Sequence, residues 1–247
     1  MLRRRLASAS LIAGFLLATF ATAHAAAPRA VLELFTSQGC SSCPAADKLL
    51  GELTADSSLV ALSLPIDYWD YLGWKDTLAS PAHSARQRAY ARMRGDRQVY
   101  TPQIVVNGAT HVLGSDKAAI ERAVAQTDEK SGVMSVPVSM AVGGGNLSVK
   151  VESAESTHNA GEVWLCPLAK AIAVAIERGE NRGHTIVYHN VVRGWVKLGD
   201  WTGAASTWNV PLSQIKTNGT DAAAVMLQEG SRDKPGIMLG AAYMPLN

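Results

Sequence analysis

The stretch Glu33-Leu34-Phe35-Thr36-Ser37-Gln38-Gly39-Cys40-Ser41-Ser42-Cys43-Pro44 decides the reading of this chain. Ala30 to Phe35 is an apolar run that reads as a buried strand, and Thr36 to Gly39 reads as the turn that ends it. Pro44 suits the first position of a helix, where its missing N–H costs nothing. That helix runs to about Leu53, with Ala46, Leu49, Leu50 and Leu53 on one face. Cys40 and Cys43 therefore flank a helix N-terminus, where unsatisfied N–H groups and the macrodipole favour negative charge. The thiolate is the reactive form of cysteine, so this placement favours chemistry. Cys40 is expected to be the attacking nucleophile. Cys43, one turn further on and more buried, is placed to resolve a mixed disulfide formed at Cys40.

Beyond the helix, Leu59 to Leu64 reads as a second strand, followed by the aromatic loop Asp67-Tyr68-Trp69-Asp70-Tyr71-Leu72-Gly73-Trp74. Ser80-Pro81 is a cap and first-turn proline that start a helix reaching about Arg94. Gln103 to Val106 and Thr110 to Leu113 form a hairpin across Asn107-Gly108, and Ser115 caps a helix through about Thr127. The order is β-α-β-α-β-β-α, an α/β unit with one parallel half and one antiparallel half. Near Ser131 the periodicity changes to two, as in Val136, Val138, Met140 and Leu147, Val149, Val151 on either side of Gly143-Gly144-Gly145-Asn146. Further strands are expected over Val163 to Ile176, Thr185 to Lys197, Thr207 to Val210, Ala222 to Gln228 and Gly236 to Tyr243, with a turn at Asn218-Gly219. These predict an all-β second domain, antiparallel, as a sandwich or partial barrel. The expected division is a leader over 1–25, the α/β domain over 28–130 and the β domain over 134–247.

The leader is read from Arg3-Arg4-Arg5, the apolar run Leu11 to Thr22, and the small residues of Ala23-His24-Ala25, the layout of a secretory signal peptide. The apolar run is short of the roughly 20 residues that span a bilayer, so no stable membrane insertion is expected once it is cleaved. Its removal takes away three arginines and no acid, turning 23 basic and 21 acidic residues into 20 and 21. A nearly neutral chain argues against nucleic acid or an anionic membrane surface as the main partner. About 220 residues remain, enough for one large or two modest cores. Three cysteines do not make a disulfide-rich scaffold; in the secreted or periplasmic setting they suggest one local redox pair and one leftover thiol, Cys166.

A pair of cysteines three apart also occurs in zinc sites, which need two further ligands. His83, His111, His158, His184 and His189 show no ligand spacing beside a cysteine, and His184 and His189, five apart in an expected strand, fall on opposite faces. No metal site is expected.

Residues 31 to 127 resemble the thioredoxin superfamily through the strand, Cys40-Ser41-Ser42-Cys43-Pro44, helix, Thr101-Pro102, hairpin and closing helix. More closely, Glu33 to Pro44, Asp67 to Asp76 and Gly179-Glu180-Asn181-Arg182-Gly183 resemble a bacterial secreted family known mainly as a domain of unknown function. The resemblance spans nearly all of the mature chain and implies a thioredoxin-like domain followed by a β domain, without naming a substrate. It also implies a cis peptide at Thr101-Pro102, with the adjoining backbone shaping a substrate groove; an ordinary trans proline at the start of an edge strand is the alternative. Thioredoxins carry a buried aspartate six residues before the first cysteine and a tryptophan directly before it; here these places hold Leu34 and Gly39. Ser41 and Ser42 can donate hydrogen bonds but bring no charge, leaving the redox potential open.

The aromatic loop reads first as packing over its own core. Its alternative is an apolar groove, with Gly39, Ser41, Ser42, Asp67 and Trp69 as contacts. Arg86, Arg88, Arg92 and Arg94 read as a solvated basic face, Cys166 as an inert core thiol. Gly179 to Gly183 reads as a tight turn or as a contact surface for the first domain or a partner. The function expected is an exported thiol–disulfide oxidoreductase acting on a thiol- or disulfide-containing protein or peptide, with a redox recycling partner. No cofactor is needed, because the cysteine pair carries both electrons. The alternatives are a non-enzymatic binding module with a structural disulfide and a Cu(I)-handling protein.

Overall fold

The computed structural model describes residues 27–154, 160–217 and 219–246. The expected leader over 1–25, His158 and part of the Asn218-Gly219 turn lie outside them. Every residue of β1 (Ala30–Thr36) is buried. Its alternation sends Ala30, Leu32 and Leu34 to one face and Val31 and Phe35 to the other, and both faces are covered. α1 (Pro44–Leu53) and α3 (Lys117–Asp128) supply the first cover, while Tyr90 of α2 (Pro81–Arg94) contributes to the second. Burial of a side chain such as Leu34 or Phe35 stabilises the fold by roughly 1.5–3 kcal/mol. β1 pairs in parallel with β2 (Leu59–Pro65) and antiparallel with β3 (Gln103–Val106), which forms a hairpin with β4 (Thr110–Leu113). The element order of this half is the one read from the sequence. One cap differs: the N-terminus of α3 is held by Asp116, whose carboxylate accepts from Ala119 N–H, and Ser115 lies one residue too early.

The fold is mixed α/β with a large, mainly β sheet. Strands β7 (Gly161–Ala175), β8 (Thr185–Val192), β11 (Ala222–Ser231) and β12 (Lys234–Pro245) join the first-half strands in the order β12-β11-β7-β8-β2-β1-β3-β4, with β9 (Val196–Trp201) on β7. The expected β region thus contributes its larger layer to a sheet shared with the α/β half. β2 and β8 make the junction, paired at Ser63 and Val191. A second sheet of β5 (Val138–Gly143), β6 (Asn146–Val151) and β10 (Ser206–Pro211) stacks its Val149 and Val151 against Val163, Leu165, Val225 and Leu227. A short helix, α4 (Leu212–Ile215), was not anticipated.

The expected single strand from Thr185 to Lys197 is two strands, β8 and β9. The long β7 pairs with β9 through Leu165 and with β8 from Leu168 onward. Pro167 lies between and has no N–H to give; its carbonyl accepts from Arg193 N–H in the connection between the two strands.

The basic face expected on α2 is also corrected. Arg86 is buried, because Glu33 of β1 is buried in a strand covered on both faces and needs a cation. Arg86 Nε and Nη2 reach the two Glu33 oxygens at 2.6 and 3.1 Å, and Nη2 also donates to Tyr90 and to Gln228 of β11. The guanidinium lies 4.9 Å from the Tyr90 ring centroid and 4.7 Å from that of Trp195. This cluster fastens α2 and β1 to the second half of the chain.

Candidate functional site

Cys40 and Cys43 form a disulfide at the N-terminus of α1, with Cys43 as the N-cap residue and Pro44 opening the helix. Cys43 is wholly buried and Cys40 is 6% exposed. The Ser42 hydroxyl lies 3.4 Å from Cys40 Sγ and points toward the Thr101 carbonyl at 3.5 Å. The Thr101–Pro102 peptide is cis. The Thr101 hydroxyl in turn accepts from Trp69 Nε1 at 2.8 Å. The structure therefore brings together Cys40, Cys43, Ser42, Thr101 and Trp69. Gly39 lies under Trp69, whose Cβ would stand 3.4 Å from a side-chain carbon placed there. Asp67 is turned away to α2, where its carboxylate accepts from the Ser84 hydroxyl.

The aromatic loop packs over the core and borders the cysteine loop at once. Tyr68 and Trp69 pack on the cluster around Phe35, while Tyr71 stays 75% exposed and stacks on Trp69. Gln38 is the fastening. Its side-chain oxygen accepts from Trp74 Nε1 at 2.8 Å, and its N–H donates to Asp76 Oδ2 at 2.8 Å. Sequence reasoning did not single out Gln38 or Asp76, since their partners lie 36 and 38 residues away.

Gly179 to Gly183 closes the other side. Asn181 donates through Nδ2 to the carbonyls of Gln38 and Cys40, both at 2.9 Å, and Glu180 accepts from Ser41 N–H at 3.3 Å. The contact-surface reading of this turn fits these bonds. Its residues reach the cysteine loop from the second half of the chain.

Asp47 was also missed. It follows Cys43 by four residues, so both side chains project from one face of α1. It is 2% exposed, and neither carboxylate oxygen has a hydrogen-bond partner among the described residues. Burial pushes its pKa up to about 8. The Thr36 hydroxyl, close by without a well-formed bond, offsets part of that rise, and the Asp76 charge adds to it. Asp76 itself is raised by burial to about 6, although it accepts from Gln38 and Leu78 N–H groups.

α1 and β8 come together where Gly51 meets the His189 ring; a Cβ on Gly51 would stand 2.6 Å from His189 Cδ2. Between them runs an open groove of about 900 Å³ that starts at Ser41 and Ser42. His184 and His189 both line it, against the expectation of opposite faces, because His184 lies in the turn before β8 and does not share its alternation. Cys166 is fully buried in β7, and burial raises its thiol far above the usual range, which suppresses thiolate formation. Among the described residues, no group of three or more His, Cys, Asp or Glu side chains is placed to hold a metal ion, and no helix is long and apolar enough to cross a membrane.

The chain matches the family model described as Protein of unknown function (DUF1223) over residues 31–228. The crystal structure of protein AGR_C_4864 from Agrobacterium tumefaciens is similar at 31% identity and a TM-score of 0.81, the match covering 91% of this chain and 97% of that one. HBP35 of Porphyromonas gingivalis, at 11% identity and a TM-score of 0.58 over 89% of this chain and 76% of that one, shares the fold alone. No curated protein matches the sequence. The chain belongs to the DUF1223 family.

Proposed function

We propose that this member of the DUF1223 family is an exported, periplasmic thiol–disulfide oxidoreductase whose first half is thioredoxin-like. The observation that carries the reading is the position of the Cys40–Cys43 disulfide. It caps a helix N-terminus, with Cys40 6% exposed and Cys43 wholly buried. In the oxidising direction a substrate thiolate attacks Cys40 Sγ, breaking the Cys40–Cys43 bond and forming a mixed disulfide. A second substrate thiolate attacks the substrate sulfur of that bond and releases Cys40. The substrate loses two electrons as its disulfide forms, and the cysteine pair gains them with two protons. The reverse sequence begins with Cys40 as thiolate and ends when Cys43 attacks Cys40 Sγ.

The helix N-terminus and the Ser42 hydroxyl favour a thiolate at Cys40. Cys43, sealed from water, needs a nearby proton when the disulfide opens. Asp47, protonated at neutral pH and one turn along the same helix face, is the group suited to share one. Thr101 and Pro102 shape the substrate groove, the Thr101 carbonyl being joined to Cys40 Sγ through the Ser42 hydroxyl, and a thiol-bearing protein or peptide is the substrate. A separate redox partner restores the starting state.

The reduction potential tests the reading. Mature protein is equilibrated in graded glutathione buffers and its free thiols are alkylated. A value between about −120 and −270 mV is expected, the range of working exchange proteins. A pair still oxidised below about −300 mV would mark a structural disulfide and favour a binding module.

A further inference from the structure

The turn between β7 and β8 is tightly made, and that fixes where Glu180 stands. Arg182 N–H donates to the Gly179 carbonyl, Gly183 N–H to that of Ile176, and Ile176 N–H to that of His184. Gly179 takes a positive φ of 77°, and a side-chain carbon on it would stand 3.3 Å from Trp74 Cβ. Asn181, 3% exposed, pins the turn to the cysteine loop through the Gln38 and Cys40 carbonyls. Its neighbour Glu180 then meets the N–H of Ser41, the residue that follows Cys40.

At 3.3 Å that bond is long for a charge-assisted one, so what the carboxylate chiefly brings is its charge. Glu180 is exposed and has no ion pair among the described residues. Other N–H groups of the loop are engaged within it. Gly39 N–H donates to the Ser37 hydroxyl, Cys40 N–H to the Ser37 carbonyl and Cys43 N–H to the Cys40 carbonyl. Pro44 has none to give. A thiolate at Cys40 therefore shares this helix N-terminus with a second anion, and a like charge nearby disfavours ionisation.

We propose that Glu180 is a positioning residue of the redox pair: its carboxylate, brought by the second half of the chain, opposes negative charge on Cys40 and draws the pair toward the disulfide. The proposal rests on the redox reading of that pair and deepens it. The disulfide carries no charge, whereas the reduced pair carries one wherever Cys40 is ionised. Reduction adds two electrons and two protons, and Cys40 then releases one of those protons. Glu180 disfavours only that ionised form, so it makes the reduced protein a stronger electron donor. The helix N-terminus and the Ser42 hydroxyl act the other way, and Glu180 offsets part of their effect.

Glu180→Gln removes the charge and keeps an oxygen for the Ser41 N–H, while Glu180→Ala removes both. In reduced mature protein, the pH dependence of Cys40 alkylation by iodoacetamide, followed on the Cys40 peptide by mass spectrometry, gives its thiol pKa. Both variants should titrate about half a unit to one unit below wild type. Above that pKa, equilibration with glutathione should favour the dithiol about three- to tenfold more in both variants, or about 15 to 30 mV. Well below it the three proteins should agree, since reduced Cys40 is then neutral. In about 1 M salt, where charges are screened within about 3 Å, the difference should shrink. Asp47 and Lys48 of α1, Asp76 and His184 also bear on this region, but they are common to the three proteins and cancel in the comparison.

Identical titrations in wild type and Glu180→Gln would overturn the proposal. So would a shift in Glu180→Ala alone, since only the hydrogen bond separates that variant from Glu180→Gln. Shifted titrations in a protein whose disulfide stays oxidised below about −300 mV would uphold the charge effect and sink the redox reading.

Discussion

Asn181 donates its side-chain amide to the carbonyl of Cys40 at 2.9 Å, across 141 residues of sequence. The same nitrogen serves the Gln38 carbonyl, so one buried group satisfies two acceptors of the cysteine loop. Removing it takes this donor from the Gln38 carbonyl, while the Cys40 carbonyl keeps the Cys43 N–H at 3.1 Å, and a buried polar group left without a partner costs about 1–3 kcal/mol. Asn181→Ala should lower stability by that amount in urea unfolding. Arg182→Ala, in the same turn but exposed, should stay within about 0.5 kcal/mol of wild type. Equal midpoints for the two variants would remove Asn181 from its role.

The two cysteines should fail differently. Cys40→Ser removes the less buried of the two sulfurs, the proposed point of attack, and should abolish exchange. Cys43→Ser leaves the mixed disulfide without its intramolecular resolving thiol and should accumulate it as a covalent adduct. Mass spectrometry of each variant after mixing with oxidised glutathione distinguishes them. Full exchange activity in Cys40→Ser would reverse the assignment.

The first half of the chain was legible because its signals are local. The caps and turns at Ser80-Pro81 and Asn107-Gly108, and the apolar alternation, involve residues within a few positions of one another. Arg86 and Asp47 were not. Arg86 sits among Arg88, Arg92 and Arg94 and looks solvated; only the pairing of β1 with α2 reveals its partner, although Glu33 in a run of apolar residues was a signal that some cation must be buried. Asp47 in the first turn of a helix looks like a solvated acid that favours the macrodipole. Its burial depends on the packing of α1 against the rest of the sheet, including the approach of β8 at Gly51. The break between β8 and β9 followed the same rule, since it is set by Pro167 on the partner strand.

The Glu33–Arg86 pair offers a stability test with two arms. Arg86→Met should cost about 3–5 kcal/mol, because Glu33 is left buried without its cation. Adding Glu33→Leu to it should recover much of that loss, since both charges are then gone and apolar volume fills their place. Urea unfolding of the two single variants and the double variant gives the coupling. Additive losses would mean that the two groups do not depend on each other.

Asp47 makes stability depend on pH, with a sign that can be worked out. The unfolded chain releases this proton near pH 4, whereas the folded protein holds it to about pH 8. Between those values the native state binds the extra proton, so stability falls as pH rises. Asp76, raised to about 6, acts in the same direction at the lower end of the window. His83 opposes them there: burial lowers its pKa to about 4, the unfolded chain takes up its proton below about 6.5, and stability rises with pH across that interval. Above pH 6.5 the histidine contribution is complete and Asp47 dominates, with a slope of roughly 1 kcal/mol per pH unit up to pH 8. Asp47→Asn keeps the shape without a titratable proton and should flatten that slope. Wild type and variant should have similar stability at pH 4 and diverge by pH 8, with the variant the more stable. Urea unfolding at half-unit intervals measures it. Parallel curves for the two proteins would mean that Asp47 is already ionised inside the fold, and the buried proton suited to Cys43 would not exist.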